Sequence, residues 1–147
     1  MIHIERRLTI DAAPDAVWAV LSRFMQIDEF APEITSVDAL TSGDIGVGSK
    51  RRNHFKNGTS LVEEVTGWTP GTGYTVRLSD MAAMPLHKAS GTIHIAPAGA
   101  GSSVTWTFDF RVKYGPIGWL LGQTVMKGMM GKILMGNLKG LAGKAGA

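Results

Sequence analysis

The sequence predicts an α+β fold in a single domain over residues 1–147, with seven antiparallel strands and a long C-terminal helix. Three observations predict it. Apolar and polar residues alternate near the N-terminus, strand-like segments separated by turn signals fill the middle of the chain, and helical periodicity extends to the C-terminus. A chain of 147 residues is long enough to bury a hydrophobic core without metal or disulfide support.

The N-terminal region changes its period after the first ten residues. Ile2, Ile4, Leu8 and Ile10 alternate with polar residues, which predicts a strand over 2–10. Pro14 and Asp15 then suit the first turn of a helix. The backbone N–H that proline lacks would have no partner inside the helix at this position, and the aspartate carboxylate interacts favourably with the positive end of the helix dipole. We expect a second short helix over 26–31, since Pro32 disfavours its continuation.

The pattern in the middle of the chain predicts a meandering antiparallel sheet. Turn signals, such as Asn57-Gly58 and Pro70-Gly71, separate the apolar segments. The last segment is the clearest, because its residues alternate strictly between apolar and polar over ten positions. The predicted strands lie near 35–41, 48–56, 60–68, 73–80, 87–96 and 103–113.

The C-terminal segment is helical in pattern but contains many glycines. Residues 114–147 include nine glycines, and each glycine inside a helix costs about 1 kcal/mol relative to alanine. Two outcomes are open: a large sheet face holds the helix together, or the helix is broken partway.

The composition limits the chemistry that is available. The chain has no cysteine, which excludes disulfides, thiolate metal sites and thiol nucleophiles. The histidines show no metal-ligand spacing, so we expect neither a metal nor a cofactor. The N-terminal residues lack an apolar run of signal-peptide length, and we therefore expect a cytoplasmic protein.

Positive charge is concentrated at the C-terminal end. Residues 110–147 contain six Lys and Arg and no acidic residue, whereas residues 1–109 carry a net charge of −3. The basic C-terminal helix is either the solvated edge of the domain or a surface for transient contact with a membrane. Lys127 and Lys132 disfavour a membrane-spanning helix. The basic residues near Arg52 point to both faces of a strand, so we predict no nucleic-acid partner.

Five short segments, spread over nearly the whole chain, match a known family in order and spacing. They are Ala13-Pro14-Asp15-Ala16-Val17-Trp18, Gly48-Ser49-Lys50-Arg51, Leu61-Val62-Glu63-Glu64-Val65, Met84-Pro85-Leu86 and Val104-Thr105-Trp106. Together they resemble the START-like (SRPBCC) superfamily, which has the birch-pollen-allergen fold, and within it the polyketide cyclase/dehydrase-type proteins. The resemblance implies a helix-grip fold. In it a curved seven-stranded sheet wraps around a long C-terminal helix, two short helices follow strand 1, and a ligand cavity lies between sheet and helix.

This resemblance predicts the binding of a small hydrophobic molecule, such as a lipid, a quinone or an aromatic polyketide-like metabolite. Residue types alone are also compatible with a dry core, and it is the family resemblance that favours a cavity. The oligomeric state is not indicated. The candidate ligand-binding residues are Arg51, Glu63, Tyr74, Val76, Leu78, Trp106, Phe108, Phe110, Leu121, Val125 and Met129.

Arg51 and Glu63 are also the candidate catalytic residues, because an arginine and a glutamate at these places tend to line the cavity in similar cyclase-like proteins. A strict two-residue turn would pair Arg52 with Glu63, whereas a longer loop brings Arg51 and Glu63 onto one face. An exposed cross-strand ion pair is the alternative. In an enzyme of the cyclase/dehydratase type, Arg51 would stabilise an enolate oxygen while Glu63, His54 or Tyr74 moved protons.

Overall fold

Seven antiparallel strands form one curved sheet in the order β1-β7-β6-β5-β4-β3-β2. They belong to a computed structural model that describes residues 1–81, 86–113 and 115–146, with the side chain of Leu121 outside the description. The predicted Met84-Pro85 segment therefore lies outside the described residues. The strands are β1 (Ile2–Ile10), β2 (Ile34–Ala39), β3 (Lys50–Phe55), β4 (Ser60–Thr69), β5 (Gly73–Ser79), β6 (Leu86–Ala98) and β7 (Gly101–Val112).

Two short helices follow β1, as predicted. Helix α1 (Pro14–Leu21) has Pro14 at its start and Asp15 in its first turn, and it buries Val17, Val20 and Leu21. The second is a 3₁₀ helix (Phe24–Glu29), which begins two residues earlier than the sequence predicted. These two helices connect opposite edges of the sheet, since β1 and β2 are its two edge strands.

The C-terminal helix is continuous over residues 115–145. It consists of α2 (Gly115–Leu121), a π-helical turn (Gly122–Met126) and α3 (Lys127–Ala145). The prediction of a long C-terminal helix is confirmed. Of the two outcomes left open by its glycines, the helix held together by the fold is the one observed, and α3 packs against β1 and α1.

Two glycines let α3 approach its neighbours closely. A Cβ atom on Gly140 would collide with the backbone carbonyl of Phe30, and one on Gly131 would collide with the guanidinium of Arg6. Within the described residues, no atom outside the helix lies within 4 Å of the position that a Cβ would take on Gly128 or Gly143. The glycine content of α3 is therefore required by packing at some positions and not at others.

The β3–β4 hairpin sets the register of the site. Its loop has three residues, 56–58, because the Phe55 N–H donates to the Thr59 carbonyl over 2.9 Å. Gly58 closes the loop with a φ of 86°, in the left-handed region that glycine readily adopts. Arg51 then pairs directly with Glu63 across the two strands. This is the longer-loop arrangement, and it places both side chains on the inner face of the sheet.

Candidate ligand-binding cavity

A cavity of about 290 Å³ lies between the inner face of the sheet and the C-terminal helix. Apolar side chains form most of its wall. The inner sheet face contributes Asn53, Leu61, Glu63, Leu78, Trp106 and Phe108, and the C-terminal helix contributes Met126, Met129, Met130, Ile133, Leu134 and Asn137. The other lining residues are Ile27, Glu33, Ile34, Phe55, Asn57 and Thr59.

Strand alternation explains the sheet side of this wall. Successive side chains in a strand point to opposite faces, so positions two apart share the inner face. Trp106 and Phe108 on β7 follow this rule, as do Leu61 and Glu63 on β4. On the helix side, flexible methionines follow the irregular outline that large aromatic residues leave. The cavity is thus the space between the inward-facing side chains of the strands and those of the C-terminal helix.

Arg51 forms the centre of a buried polar cluster beside the cavity. Its side chain is 1% exposed, and its Nε and Nη2 atoms donate to Oε1 of Glu63 over 2.9 and 2.7 Å. Nη1 donates to the backbone carbonyl of Phe24 over 2.6 Å. The Phe24 ring lies against the guanidinium, with its centroid 3.8 Å from Cζ. The cation thus has hydrogen-bond partners along its edges and an aromatic ring against one face.

This environment shifts the pKa values of two buried groups. Burial acts to lower the pKa of Arg51, but the Glu63 carboxylate and Tyr74 more than offset it, so the pKa lies above its ordinary value. Burial raises the pKa of the Tyr74 hydroxyl, and the Arg51 cation opposes this only in part. Arg51 is therefore a permanent cation, and Tyr74 is a neutral phenol at physiological pH.

Asn53 extends the cluster to the cavity wall. Its Nδ2 atom donates to Oε1 of Glu63, which also accepts the bonds from Arg51. The Oδ1 atom of Asn53 is buried and has no hydrogen-bond partner within the described part of the chain. A buried amide oxygen without a donor is uncommon, because its desolvation is not compensated.

The structure brings together only some of the predicted site residues. Five of them line the cavity: Glu63, Leu78, Trp106, Phe108 and Met129. Four others are buried but are not among the lining residues: Arg51, Tyr74, Val76 and Phe110. Val125 is 62% exposed and is not among the lining residues. The predicted contact of Leu121 lies outside the described side chains.

Other predicted groups lie away from the cavity. His54 is on the outer face of β3, where its Nε2 atom lies 2.7 Å from Oδ2 of Asp38. Tyr74 belongs to an aromatic cluster and stacks on Trp68 at a centroid distance of 5.4 Å. Among residues 1–81, 86–113 and 115–146, no group of three or more His, Asp or Glu is placed to hold a metal ion. No helix in this part of the chain is long and apolar enough to cross a bilayer.

Sequence reasoning missed several lining residues. Asn53 lies two positions after Arg51 on the same strand, so its place on the inner face follows from alternation. Ile133, Leu134 and Asn137 follow Met130 at helical spacing. These signals were available in the sequence. A search restricted to apolar and ionisable residues does not find Asn53 and Asn137.

Comparison with known proteins agrees with this architecture. The family model for polyketide cyclase/dehydrase and lipid transport matches residues 1–146. No curated protein matches the chain. Three solved structures of different proteins are similar to this chain. Their sequence identity is 20% or lower, so the similarity shows the fold alone.

The first is the protein XoxI from Bacillus cereus, with 20% identity, a TM-score of 0.80, and coverage of 97% of this chain and 94% of that one. The Zhui aromatase/cyclase from Streptomyces sp. R1128 has 18% identity, a TM-score of 0.81, and coverage of 98% and 93%. Ara h 8.0201 has 17% identity, a TM-score of 0.72, and coverage of 98% and 97%. The predicted START-like superfamily and helix-grip fold are confirmed, and the chain belongs to the polyketide cyclase/dehydrase and lipid transport family.

Proposed function

We propose that the protein binds a small hydrophobic molecule in the cavity between the sheet and the C-terminal helix. The observation that carries this proposal is the 290 Å³ space with mainly apolar walls. An engineered apolar cavity of about 150 Å³ accommodates one benzene ring. By this comparison the cavity matches a molecule with two fused rings, or an acyl chain of similar volume.

Burial of such a molecule is sufficient for useful affinity. A two-ring ligand that buries about 300 Å² of apolar surface gains roughly 7 kcal/mol before the costs of ordering. The gross value corresponds to a dissociation constant of about 7 μM, and the ordering costs weaken binding, so dissociation constants of about 10–100 μM or higher are expected. No ion pair with the ligand is required for this affinity.

The geometry supports binding over a cyclase-type reaction. For catalysis as predicted from the resemblance, Arg51 would have to reach an oxygen atom of the substrate. Its donors instead contact Glu63 and the Phe24 carbonyl, and it is absent from the cavity wall. His54 and Tyr74 are also absent from the wall. Within this cluster, Arg51 acts as a positioning residue for Glu63.

Titration calorimetry with naphthalene tests the proposal. We expect saturable binding to the wild-type protein with a stoichiometry of one. Met130→Trp should abolish it, because Met130 is buried in the cavity wall and a larger side chain would fill the space. The matched control is Val125→Trp on the same helix, which introduces the same side chain at a position 62% exposed and should leave binding intact. Failure of the wild-type protein to bind naphthalene would refute the proposal.

A further inference from the structure

Asn53, a residue of the cavity wall, carries a buried hydrogen-bond acceptor that has no donor in the described part of the chain. The residue is 2% exposed, and the acceptor is its Oδ1 atom. Glu63 fixes the orientation of this amide. Oε1 of Glu63 can only accept hydrogen bonds, so the Asn53 amide must turn its NH₂ group, and not its oxygen, toward the carboxylate. Oδ1 is therefore turned away from the ion pair.

The charged groups of the wall are negative. Glu33 and Glu63 are the ionisable residues among those that line the cavity, and no Lys, Arg or His lines it within the described chain. The Arg51 cation lies behind Glu63 and is shielded from the space. A carboxylate on a ligand would therefore approach two negative groups without a cation of its own to pair with.

We propose that the cavity selects neutral hydrophobic molecules that carry a hydroxyl group, which donates a hydrogen bond to Oδ1 of Asn53. This inference rests on the proposed function and specifies its ligand class. A phenol or alcohol satisfies the buried acceptor, whereas an apolar analogue leaves it unpaired. A carboxylate is disfavoured by the acidic wall.

Titration calorimetry with four two-ring compounds at neutral pH tests this preference: naphthalene, 2-methylnaphthalene, 2-naphthol and 2-naphthoate. Methyl and hydroxyl groups are similar in size, and a purely apolar cavity would prefer the methyl compound because it is less soluble in water. We expect 2-naphthol to bind about fivefold more tightly than 2-methylnaphthalene, and 2-naphthoate to bind most weakly. Asn53→Leu should reverse the order of the first two.

The outcomes separate the two proposals. If 2-methylnaphthalene binds as tightly as 2-naphthol, or 2-naphthoate binds best, the hydroxyl preference is wrong and the binding function stands. If none of the four compounds binds, both proposals fail. The wild-type series is decisive alone, so the conclusion does not depend on the folding of Asn53→Leu.

A separate observation concerns the outside of the C-terminal helix. Four large apolar side chains are exposed over its first part: Ile117 (80%), Trp119 (54%), Leu120 (59%) and Val125 (62%). We call these four residues the apolar helix surface. Exposed apolar side chains clustered in one segment are typical of an interaction site rather than of ordinary solvated surface.

The charge around this surface favours an anionic partner. Residues 110–147 contain six basic residues and no acidic one. Arg111 and Lys113 precede α2, and Lys127 and Lys132 follow the apolar helix surface. Apolar residues that include a tryptophan, interspersed with lysines, are characteristic of helices that lie at the interface of a lipid bilayer. A nonpolar protein partner would not require this one-sided charge.

We infer that the apolar helix surface docks on an anionic lipid membrane. This inference does not depend on the ligand preference. It would place the cavity near the lipid, since Met126 and Met129 of the adjoining helix line the cavity. A hydrophobic ligand would then exchange with the bilayer without crossing bulk water.

Vesicle flotation tests the docking surface. We expect binding to vesicles of phosphatidylcholine with about 30% phosphatidylserine, little binding to phosphatidylcholine alone, and release at high salt. Leu120→Ser should weaken binding at least about fivefold, since it removes a membrane-inserting side chain. The matched control is Val47→Ser, because Val47 is also exposed but lies in the β2–β3 loop at the opposite end of the sheet.

Two results would overturn the docking proposal. One is failure to bind the anionic vesicles, and the other is equal loss of binding in Val47→Ser and Leu120→Ser. If gel filtration shows a dimer that Leu120→Ser dissociates, the surface pairs two copies of the chain, and the membrane assignment is wrong.

Discussion

Arg51 and Glu63 illustrate how one residue pair shapes the site: Glu63 lines the cavity, and Arg51, which does not, holds the Glu63 carboxylate in place. The guanidinium is out of contact with solvent, and its hydrogen bonds go to the Glu63 carboxylate and the Phe24 carbonyl. A buried ion pair adds little net stability compared with apolar residues, but loss of one partner leaves an uncompensated charge. The pair therefore fixes where Glu63 and Asn53 stand in the cavity wall.

We predict that substitutions of Arg51 and Glu63 have strongly coupled effects on the free energy of unfolding. Glu63→Leu should lower the free energy of unfolding by about 3 kcal/mol or more, because the Arg51 cation stays buried without its carboxylate. The double variant Arg51→Met/Glu63→Leu should be more stable than Glu63→Leu alone. Urea unfolding of both variants measures this.

The adjacent Glu64 provides the control. It is on the outer face, where it pairs with Arg77 over 2.8 Å, and Glu64→Leu should cost less than about 1 kcal/mol. Similar losses for Glu63→Leu and Glu64→Leu would contradict the assigned role of the pair.

The sequence was informative about this pair but incomplete. It indicated both residues, and it left their register open because one residue of loop length decides which side chains share a face. Asn53 could have been found by alternation from Arg51. That its Oδ1 is unsatisfied could not, because this depends on the positions of groups from several strands.

The C-terminal helix shows how tertiary contacts override local preference. Its glycines predict weak helix formation, yet Gly131 and Gly140 allow contacts with Arg6 and Phe30, more than 100 residues away in sequence. Such contacts are invisible to a local pattern. The strands were predicted to within a few residues, because alternation between a buried and a solvated face is a local signal.

The C-terminal helix contains a π-helical turn over Gly122–Met126, in which each turn holds about one residue more than an α turn. Met126 at the end of this turn and Met130 one turn later line the cavity, whereas Val125 does not. Met129 still reaches the cavity while about half of it is exposed.

Two alanine substitutions in α3 should have opposite effects. Gly140→Ala should destabilise the protein by about 2 kcal/mol, since the new Cβ collides with the backbone of Phe30 and cannot be relieved by a rotamer change. Gly143→Ala should stabilise it by about 0.5 kcal/mol, because the site is open and alanine favours the helix. Thermal and urea unfolding of the two variants provide the comparison. A stabilising Gly140→Ala would show that the close approach is not tight.

For the whole molecule, the fold separates two chemical environments. The interior between sheet and helix is apolar with an acidic, acceptor-rich end, whereas the outer surface of the C-terminal segment is basic and partly apolar. A neutral ligand fits the first environment and an anionic surface fits the second. The α+β class, the element order and the charge asymmetry were all predictable from sequence. The family resemblance predicted a cavity between sheet and helix, but its size could not be predicted, because it depends on the separation of helix and sheet.

The most direct test of the cavity as a ligand site is NMR of the protein labelled at its methionine methyl groups, with addition of naphthalene. Of the seven methionines in the described part of the chain, Met126, Met129 and Met130 line the cavity. Met25 and Met135 do not line it and serve as internal controls. We predict ligand-induced shifts and contacts between naphthalene and the methyl groups of the three lining residues, with Met25 and Met135 nearly unchanged. Shifts at Met25 and Met135 in place of the lining methionines, or no shift in any methyl group, would contradict the account.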